Sequence, residues 1–371
     1  MSQPTPPDRV ADIVAKSLRI HQVRHAFGVP GGEVVTLIDA LQAAGITFNL
    51  TRHETSAAIM AAGASTISAN PELLVTTVGP GLANAVNGIA DAAQERVPLI
   101  VISGVVDRAT RARYTHQVID QAQLLRPLVK ASFEIEPESA ASTVARALSI
   151  ATTEPMGPVH LDLSPAVAAS LSPSSFVPKM AKRFTTAASA TDPSVRHLAE
   201  RVRGAERPLL LVGLETARNQ AGPALQHLAE TIGAPVVTTY KAKGIIPEDH
   251  PLSLGGAGLS PRADKILLPL IEKADLVLAF GYDPIEMRLG WLDFVTDQTK
   301  LVETSGAHAD HSMHHAGTWI SADTKSLLQA LNGSLVERKT WPSHEPAAAK
   351  AALDHLFLTK DAWARTPLSI T

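Results

Sequence analysis

Short apolar runs recur along the chain, separated by stretches long enough to hold a helix. In the first half they fall at residues 25–27, 48–50, 73–78, 99–103 and 159–163. Strands spaced by helix-length segments need crossover connections, which predicts a parallel sheet covered on both faces. From about residue 168 to 192 the chain turns rich in Ser, Ala, Thr and Pro without a period, as a linker does. Strand-like runs resume at residues 208–213, 234–239, 274–281 and 318–321. Residues 337–361 are charged and helix-prone, with Trp341-Pro342 as a break. The pattern predicts an α/β protein of two doubly wound parallel-sheet domains. Their expected limits are 1–168 and 191–332, with a linker at 169–190 and a helical tail at 333–371.

Composition narrows the functional classes. A chain of 371 residues is long enough to bury two cores. Its 33 basic and 36 acidic side chains nearly cancel, so no basic footprint points to nucleic acid. The absence of cysteine excludes disulfides, thiolate catalysis and Cys-ligated metal, and fits a reducing compartment. The start, Met1-Ser2-Gln3-Pro4-Thr5-Pro6-Pro7-Asp8, has neither the basic residues nor the apolar core of a signal peptide. No stretch is long and apolar enough to span a bilayer. A soluble, cytoplasmic protein is expected, with no nucleic-acid or membrane partner.

Three segments carry candidate chemistry. Arg52-His53-Glu54 stands where the extended run 46–51 gives way to an Ala-rich helical stretch. A carboxyl at such a corner is expected to be partly desolvated, which raises its pKa and lets it hold or share a proton near neutral pH. The same position also suits an acid that merely opens a helix. Gly28-Val29-Pro30-Gly31-Gly32 follows a strand, and its paired glycines would let the backbone approach a ligand closely, or simply make a turn. Gly79-Pro80-Gly81 leads from a strand into a helix, with Asn84 expected in the first turn. Free N–H groups and glycine there would let a flat ring pack on the main chain, although a structural turn uses the same residues. A fourth segment, His308-Ala309-Asp310-His311-Ser312-Met313-His314-His315, would put His311 and His315 on one helical face for a metal. A solvated loop explains it better.

Taken together, Phe27-Gly28-Val29-Pro30-Gly31-Gly32, Arg52-His53-Glu54, Val78-Gly79-Pro80-Gly81-Leu82-Ala83-Asn84, Gly88-Ile89-Ala90-Asp91-Ala92 and His116-Gln117-Val118-Ile119-Asp120 form a set. In this order and rough spacing they resemble the acetolactate synthase-like thiamine diphosphate enzymes, from about Val10 to about Leu331. The resemblance implies a thiamine diphosphate-binding fold, the pyrimidine-binding domain, followed by a Rossmann-like middle domain. It implies that Glu54 hydrogen-bonds N1′ of the aminopyrimidine and so activates the cofactor. It places Pro30 and Gly31 over the cofactor's reactive face, and Thr77, Pro80 and Asn84 around the aminopyrimidine. Gln117 matches a family Gln close to cofactor and substrate, whose amide can both donate and accept. His116 stands where relatives often have Phe, while Asp120 and Lys130 read as structural residues. Gly281-Tyr282-Asp283-Pro284-Ile285-Glu286 resembles flavin-free catabolic acetolactate synthases, so FAD is not expected.

Such relatives carry a third domain, roughly 150 to 200 residues long, with a Gly-Asp-Gly segment and an Asn that bind Mg²⁺ and the diphosphate. The 371 residues contain no Gly-Asp-Gly, and no metal ligand is expected on this chain. The expectation is therefore an α-type subunit of a split 2-oxo acid decarboxylase or carboligase. A β subunit would supply the diphosphate and Mg²⁺ domain in an α₂β₂ heterotetramer. The alternatives are a truncated acetolactate synthase, a non-catalytic regulatory or scaffold protein, and an aldehyde-forming decarboxylase or a hydrolase of the same cofactor class.

Overall fold

A computed structural model describes residues 7–178, 187–307 and 313–358. The chain divides into two compact units between residues 182 and 183. In the first unit, β1 (His25–Gly28), β2 (Thr47–Leu50), β3 (Glu72–Thr76), β4 (Leu99–Gly104), β5 (Ser132–Glu134) and β6 (Val159–Leu163) form one sheet in the order β2-β1-β3-β4-β6-β5. Every pairing is parallel. Helices cover both faces, so β3 and β4 are buried along their whole length. Leu73, Val75, Ile100 and Ile102 pack under the helices Val10–Ile20, Val35–Ala43 and Ala140–Ala151. Leu74, Leu99 and Val101 face the helices Glu54–Ser68 and Pro80–Gln94.

Those last two helices meet through small residues, Ala57, Ala58 and Ala61 on one and Ala85, Gly88 and Ala92 on the other. A Cβ on Gly88 would stand 2.5 Å from the Ala58 Cβ and 2.9 Å from the Thr55 carbonyl oxygen, so only glycine permits the approach. Strand β5 lies outside the apolar runs because it is a three-residue, half-buried edge strand. Part of the expected linker folds back on this unit. Val10 N–H donates to the Ser170 carbonyl at 2.9 Å and Ser172 N–H to that of Asp8 at 2.8 Å.

The second unit holds β7 (Pro208–Val212), β8 (Val236–Thr239), β9 (Ser253–Ala257), β10 (Leu276–Phe280), β11 (Leu301–Ser305) and β12 (Thr318–Ser321). They are all parallel, in the order β12-β11-β10-β7-β8-β9, which is the Rossmann order. Sequence periodicity misses β9, which contains two glycines, and β11, where Glu303, Thr304 and Ser305 mask the apolar start. After β7 and β10 the main chains of Gly213 and Gly281 touch. A Cβ on Gly213 would lie 2.5 Å from the Tyr282 Cα.

The expected tail is an integral part of this unit. Ala349 and Leu353 of the helix Glu345–Leu358 pack with Leu267, Leu270 and Ile271. Trp341, 2% exposed, donates its indole N–H to the Pro208 carbonyl at 2.8 Å. The Arg338 guanidinium caps the carbonyls of Val202, Arg203 and Ala205 at 2.5, 2.6 and 2.7 Å, where the helix Pro193–Gly204 ends. The histidine-rich segment also departs from a solvated loop. Residues 308–312 lie outside the described residues, but His314 is buried, with its Nε2 2.8 Å from the Tyr282 hydroxyl and its ring 4.5 Å from that of Phe294. Aromatic packing has drawn it inward. Nearby, burial pushes Glu286, 3% exposed, up to about 7, and pushes Glu303 to about 7 as well. The Glu286 carboxyl lies close to the Thr239 hydroxyl and Lys241 N–H without closing a hydrogen bond to either.

Two predictions follow from this packing. Trp341→Ala removes a buried indole and its hydrogen bond, and should cost about 3–5 kcal/mol in urea unfolding. A loss under about 1 kcal/mol would mean that the segment is not part of the core. Both carboxyls bind protons more tightly in the folded state than an unfolded Glu at 4.5. Their contribution to stability is therefore complete below about pH 4.5 and is lost as pH rises through about 7. The melting temperature should fall between about pH 5 and pH 8, and Glu286→Gln should flatten that slope. An unchanged slope in the variant would contradict the assignment.

Candidate active site

In the first sheet the chain leaves β1 for β2 on one side and returns to β3 on the other. Ligand crevices in open parallel sheets form at the carboxyl ends of the strands flanking such a reversal. Gly28 closes β1 there, and a Cβ on it would run into the Val75 carbonyl oxygen. The glycine thus lets the ends of β1 and β3 converge, and the loops that follow them converge too.

Beyond β2, Thr51 N–H donates to the Gly28 carbonyl at 2.9 Å. His53 then takes an extended backbone and caps the next helix, its Nδ1 accepting the Thr55 N–H at 3.1 Å. Glu54 is the first residue of that helix, where a carboxylate is favoured by the free N–H groups. It is only 7% exposed. Its Oε2 accepts the Asn84 side-chain N–H at 3.2 Å. Its Oε1 lies toward Gly81, 3.5 Å from where a Cβ on that residue would be.

Asn84 stands in the second turn of its helix rather than the first, because Pro80 is the first helical residue and Gly79 the cap. The close helix contact at Gly88 brings it level with Glu54, and the Thr55 hydroxyl fastens the pair by donating to the Asn84 carbonyl at 2.5 Å. Thr77 is wedged between two glycines. A Cβ on Gly31 would strike its Cγ2 and one on Gly81 its Oγ1. Gly31, Thr77, Gly81 and Glu54 therefore follow one another across a continuous surface, with Pro30 and Pro80 exposed beside the glycines.

Gln117 reaches this region through its main chain. It adopts a left-handed backbone with φ 59°, and its carbonyl packs against Gly79, while its side chain is exposed. His116 is exposed and sits edge-on to Tyr114, ring centres 6.1 Å apart. Asp120 and Lys130 are structural. Asp120 caps the helix Gln121–Leu125 by accepting the Gln123 N–H at 2.8 Å, and Lys130 donates to the carbonyls of Ile150 and Thr153 at 2.6 Å each.

Two residues at the site escape sequence reasoning. Glu33 directs a carboxylate oxygen to within 3.1 Å of a Cβ position on Gly31. Gln121, 4% exposed, accepts the Gly79 N–H at 2.9 Å from 42 residues away along the chain, a separation that no local motif reveals. Among the described residues, no cluster of three or more His, Asp or Glu could hold a metal ion. The arrangement offers one buried carboxyl, with one oxygen fixed by an amide, beside a glycine-lined surface open to a flat ring.

Comparison with known proteins identifies the family. The profile for "Thiamine pyrophosphate enzyme, N-terminal TPP binding domain" matches residues 8–124, and that for the central domain of the same enzymes matches residues 195–331. A "probable acetolactate synthase large subunit" of Methanocaldococcus jannaschii is 31% identical over 342 residues, 89% of this chain and 58% of the relative. An acetolactate synthase of Bacillus subtilis is 32% identical over 281 residues, 75% of this chain and 49% of the relative. The chain thus spans between about half and three fifths of their lengths. A solved structure from Mycobacterium smegmatis, assigned to the thiamin diphosphate-dependent enzymes, shares the fold with a TM-score of 0.79 at 24% identity. The match covers 91% of this chain and 64% of that one. No helix among the described residues is long and apolar enough to cross a membrane. In its N-terminal and central domains, this chain belongs to the acetolactate synthase-like thiamine pyrophosphate enzymes.

Proposed function

We propose that this chain provides the aminopyrimidine half of a thiamine diphosphate site and acts, as an α-type subunit, in a decarboxylase or carboligase of 2-oxo acids. The observation that carries this reading is Glu54, buried, held at Oε2 by Asn84 and with Oε1 toward the surface of Gly81 and Thr77. These residues fit the aminopyrimidine. The carboxyl meets a ring nitrogen, and the main chain at Gly31 and Gly81 carries no Cβ to hold a flat ring away.

Thiamine diphosphate, when bound, supplies a carbon nucleophile for the keto group and accepts the electron pair released with CO₂. Glu54 holds and returns a proton at Oε1, and the Asn84 amide, donating to Oε2, fixes which oxygen does so. Gln117 orients the 2-oxo acid with an uncharged amide, and Pro30 and Gly31 cover the reacting face.

Mg²⁺ and the diphosphate would be held outside these 371 residues, by a second polypeptide that we assign as β in an α₂β₂ assembly. The relatives, of which this chain covers 58% and 49%, extend beyond the match, and that remainder leaves room for these groups outside the two domains described. The second unit would serve without flavin, with the main chains of Gly213 and Gly281 in contact at its own strand reversal. Pyruvate is the first 2-oxo acid to assay, since the relatives named above are acetolactate synthases. Acetolactate or acetoin as product would mark carboligation, and acetaldehyde alone decarboxylation.

Glu54→Gln keeps the volume and removes the acid, so turnover should fall by at least about 10²-fold with the unfolding midpoint little changed. Substantial residual turnover would show that Glu54 does not handle the proton. Native mass spectrometry of the protein isolated from its source cells, with thiamine diphosphate and Mg²⁺ present, should show a mixed oligomer containing a second, cofactor-bearing chain. A homo-oligomer empty of cofactor would sink the split-enzyme reading.

A further inference from the structure

Gly79 is the most constrained residue of the turn that leads from Thr77 to Pro80. Its φ of 47° and ψ of −99° are open only to glycine, and a Cβ would collide with the Gln117 carbonyl. A turn in such a conformation persists only where its surroundings hold it. Its N–H precedes the helix and has no helical carbonyl to bond. Instead it donates to Gln121 Oε1 at 2.9 Å.

The other end of the Gln121 amide is equally engaged. Its Nε2 donates to the Gly104 carbonyl at 3.2 Å, where β4 ends, and to the Asp162 carboxylate in β6. Asp162 belongs to a buried polar line through the sheet. Its carboxylate lies 3.4 Å from His160 Nε2, which is 3.1 Å from the Ser103 hydroxyl, and that hydroxyl in turn accepts from Thr76 at 3.1 Å. One primary amide therefore ties the Gly79 turn to β4 and β6 at once. Only a side chain that accepts at one atom and donates twice at another can make all three bonds.

We infer that Gln121 is a positioning residue for the cofactor surface, acting through Gly79 on Pro80, Gly81 and Asn84. The inference rests on the thiamine diphosphate reading for its consequence, but its geometry can be tested without cofactor. Asn84 aligns the Glu54 carboxyl and Gly81 borders it, so displacing the helix start would misplace both while leaving Glu54 itself intact.

The test compares the full chain with its Gln121→Leu and Gln121→Glu variants, in the assembly isolated with its partner. Hydrogen–deuterium exchange would be read at Gly79 and, as an internal control, at Leu74 in β3. Gln121→Leu should speed exchange at Gly79 by about tenfold, the loss of one hydrogen bond, and leave Leu74 unchanged. Thiamine diphosphate affinity should fall by a similar factor. Gln121→Glu should behave like the Leu variant at about pH 8, where its carboxylate is repelled by Asp162 and the Gly104 carbonyl, and recover part of the Gly79 protection at about pH 4, where the carboxyl takes up a proton, accepts the Gly79 N–H and makes one of the two donated bonds. Unchanged exchange at Gly79 would overturn the inference. So would an even rise at Gly79 and Leu74, which marks general structural support. Glu54→Gln should keep Gly79 protected while abolishing turnover. If the parent assembly binds no thiamine diphosphate, the functional reading fails and the cofactor role of Gln121 with it, while the exchange measurement still decides the clamp.

Discussion

The contact at Gly88 sets the geometry on which the site depends. Two helices that leave the carboxyl edge of the same sheet could be spaced by leucines at about 10 Å. Here alanines and a glycine let them approach until a single added carbon would strike the Ala58 Cβ. That approach puts the amide of the second helix within reach of the carboxyl that begins the first. The pairing of Asn84 with Glu54 is thus a product of apolar packing some distance below it. The energy comes from buried alanines and from the sheet they cover, and the polar pair costs little because each member satisfies the other.

Much of this was legible in the residues. Continuous apolar runs and helix-length spacers marked two doubly wound sheets, and the segments around Gly31, Glu54, Gly79 and Asn84 indicated one site although they are far apart in the chain. Their convergence follows from the reversal between β1 and β3, which periodicity does not reveal but which an open, doubly wound sheet requires somewhere. What periodicity missed was either short or polar. β5 has three half-buried residues, β9 is interrupted by glycines, and β11 alternates half-buried Glu303 and Ser305 with buried Leu301, Val302 and Thr304. Gln121 was invisible for another reason. Its role lies entirely in partners supplied by β4, β6 and the turn after β3, so neither neighbour in sequence signals it. His314 was misjudged because a cluster of histidines suggests water, whereas the rings of Tyr282 and Phe294 provide an aromatic seat.

Both units bury polar groups, and each leaves some of their atoms without a partner, His160 Nδ1 among them in the first. In the first, Thr76, Ser103, His160, Asp162 and Gln121 are linked to one another, which rigidifies the strand ends beside the site. In the second, Glu286 and Glu303 keep carboxyl oxygens without partners, an arrangement that is tolerable when the groups are neutral.

The helix Glu345–Leu358 bears on how such chains should be cut. The central-domain profile stops at residue 331, yet the fold continues through the Trp341 anchor and a helix that covers Leu267, Leu270 and Ile271. A fragment ended at the profile boundary would leave that apolar stripe facing water, and stripes of this kind associate with one another. Insolubility of such a fragment would then reflect a misplaced scissor line, and would carry no information about whether the domain can fold by itself.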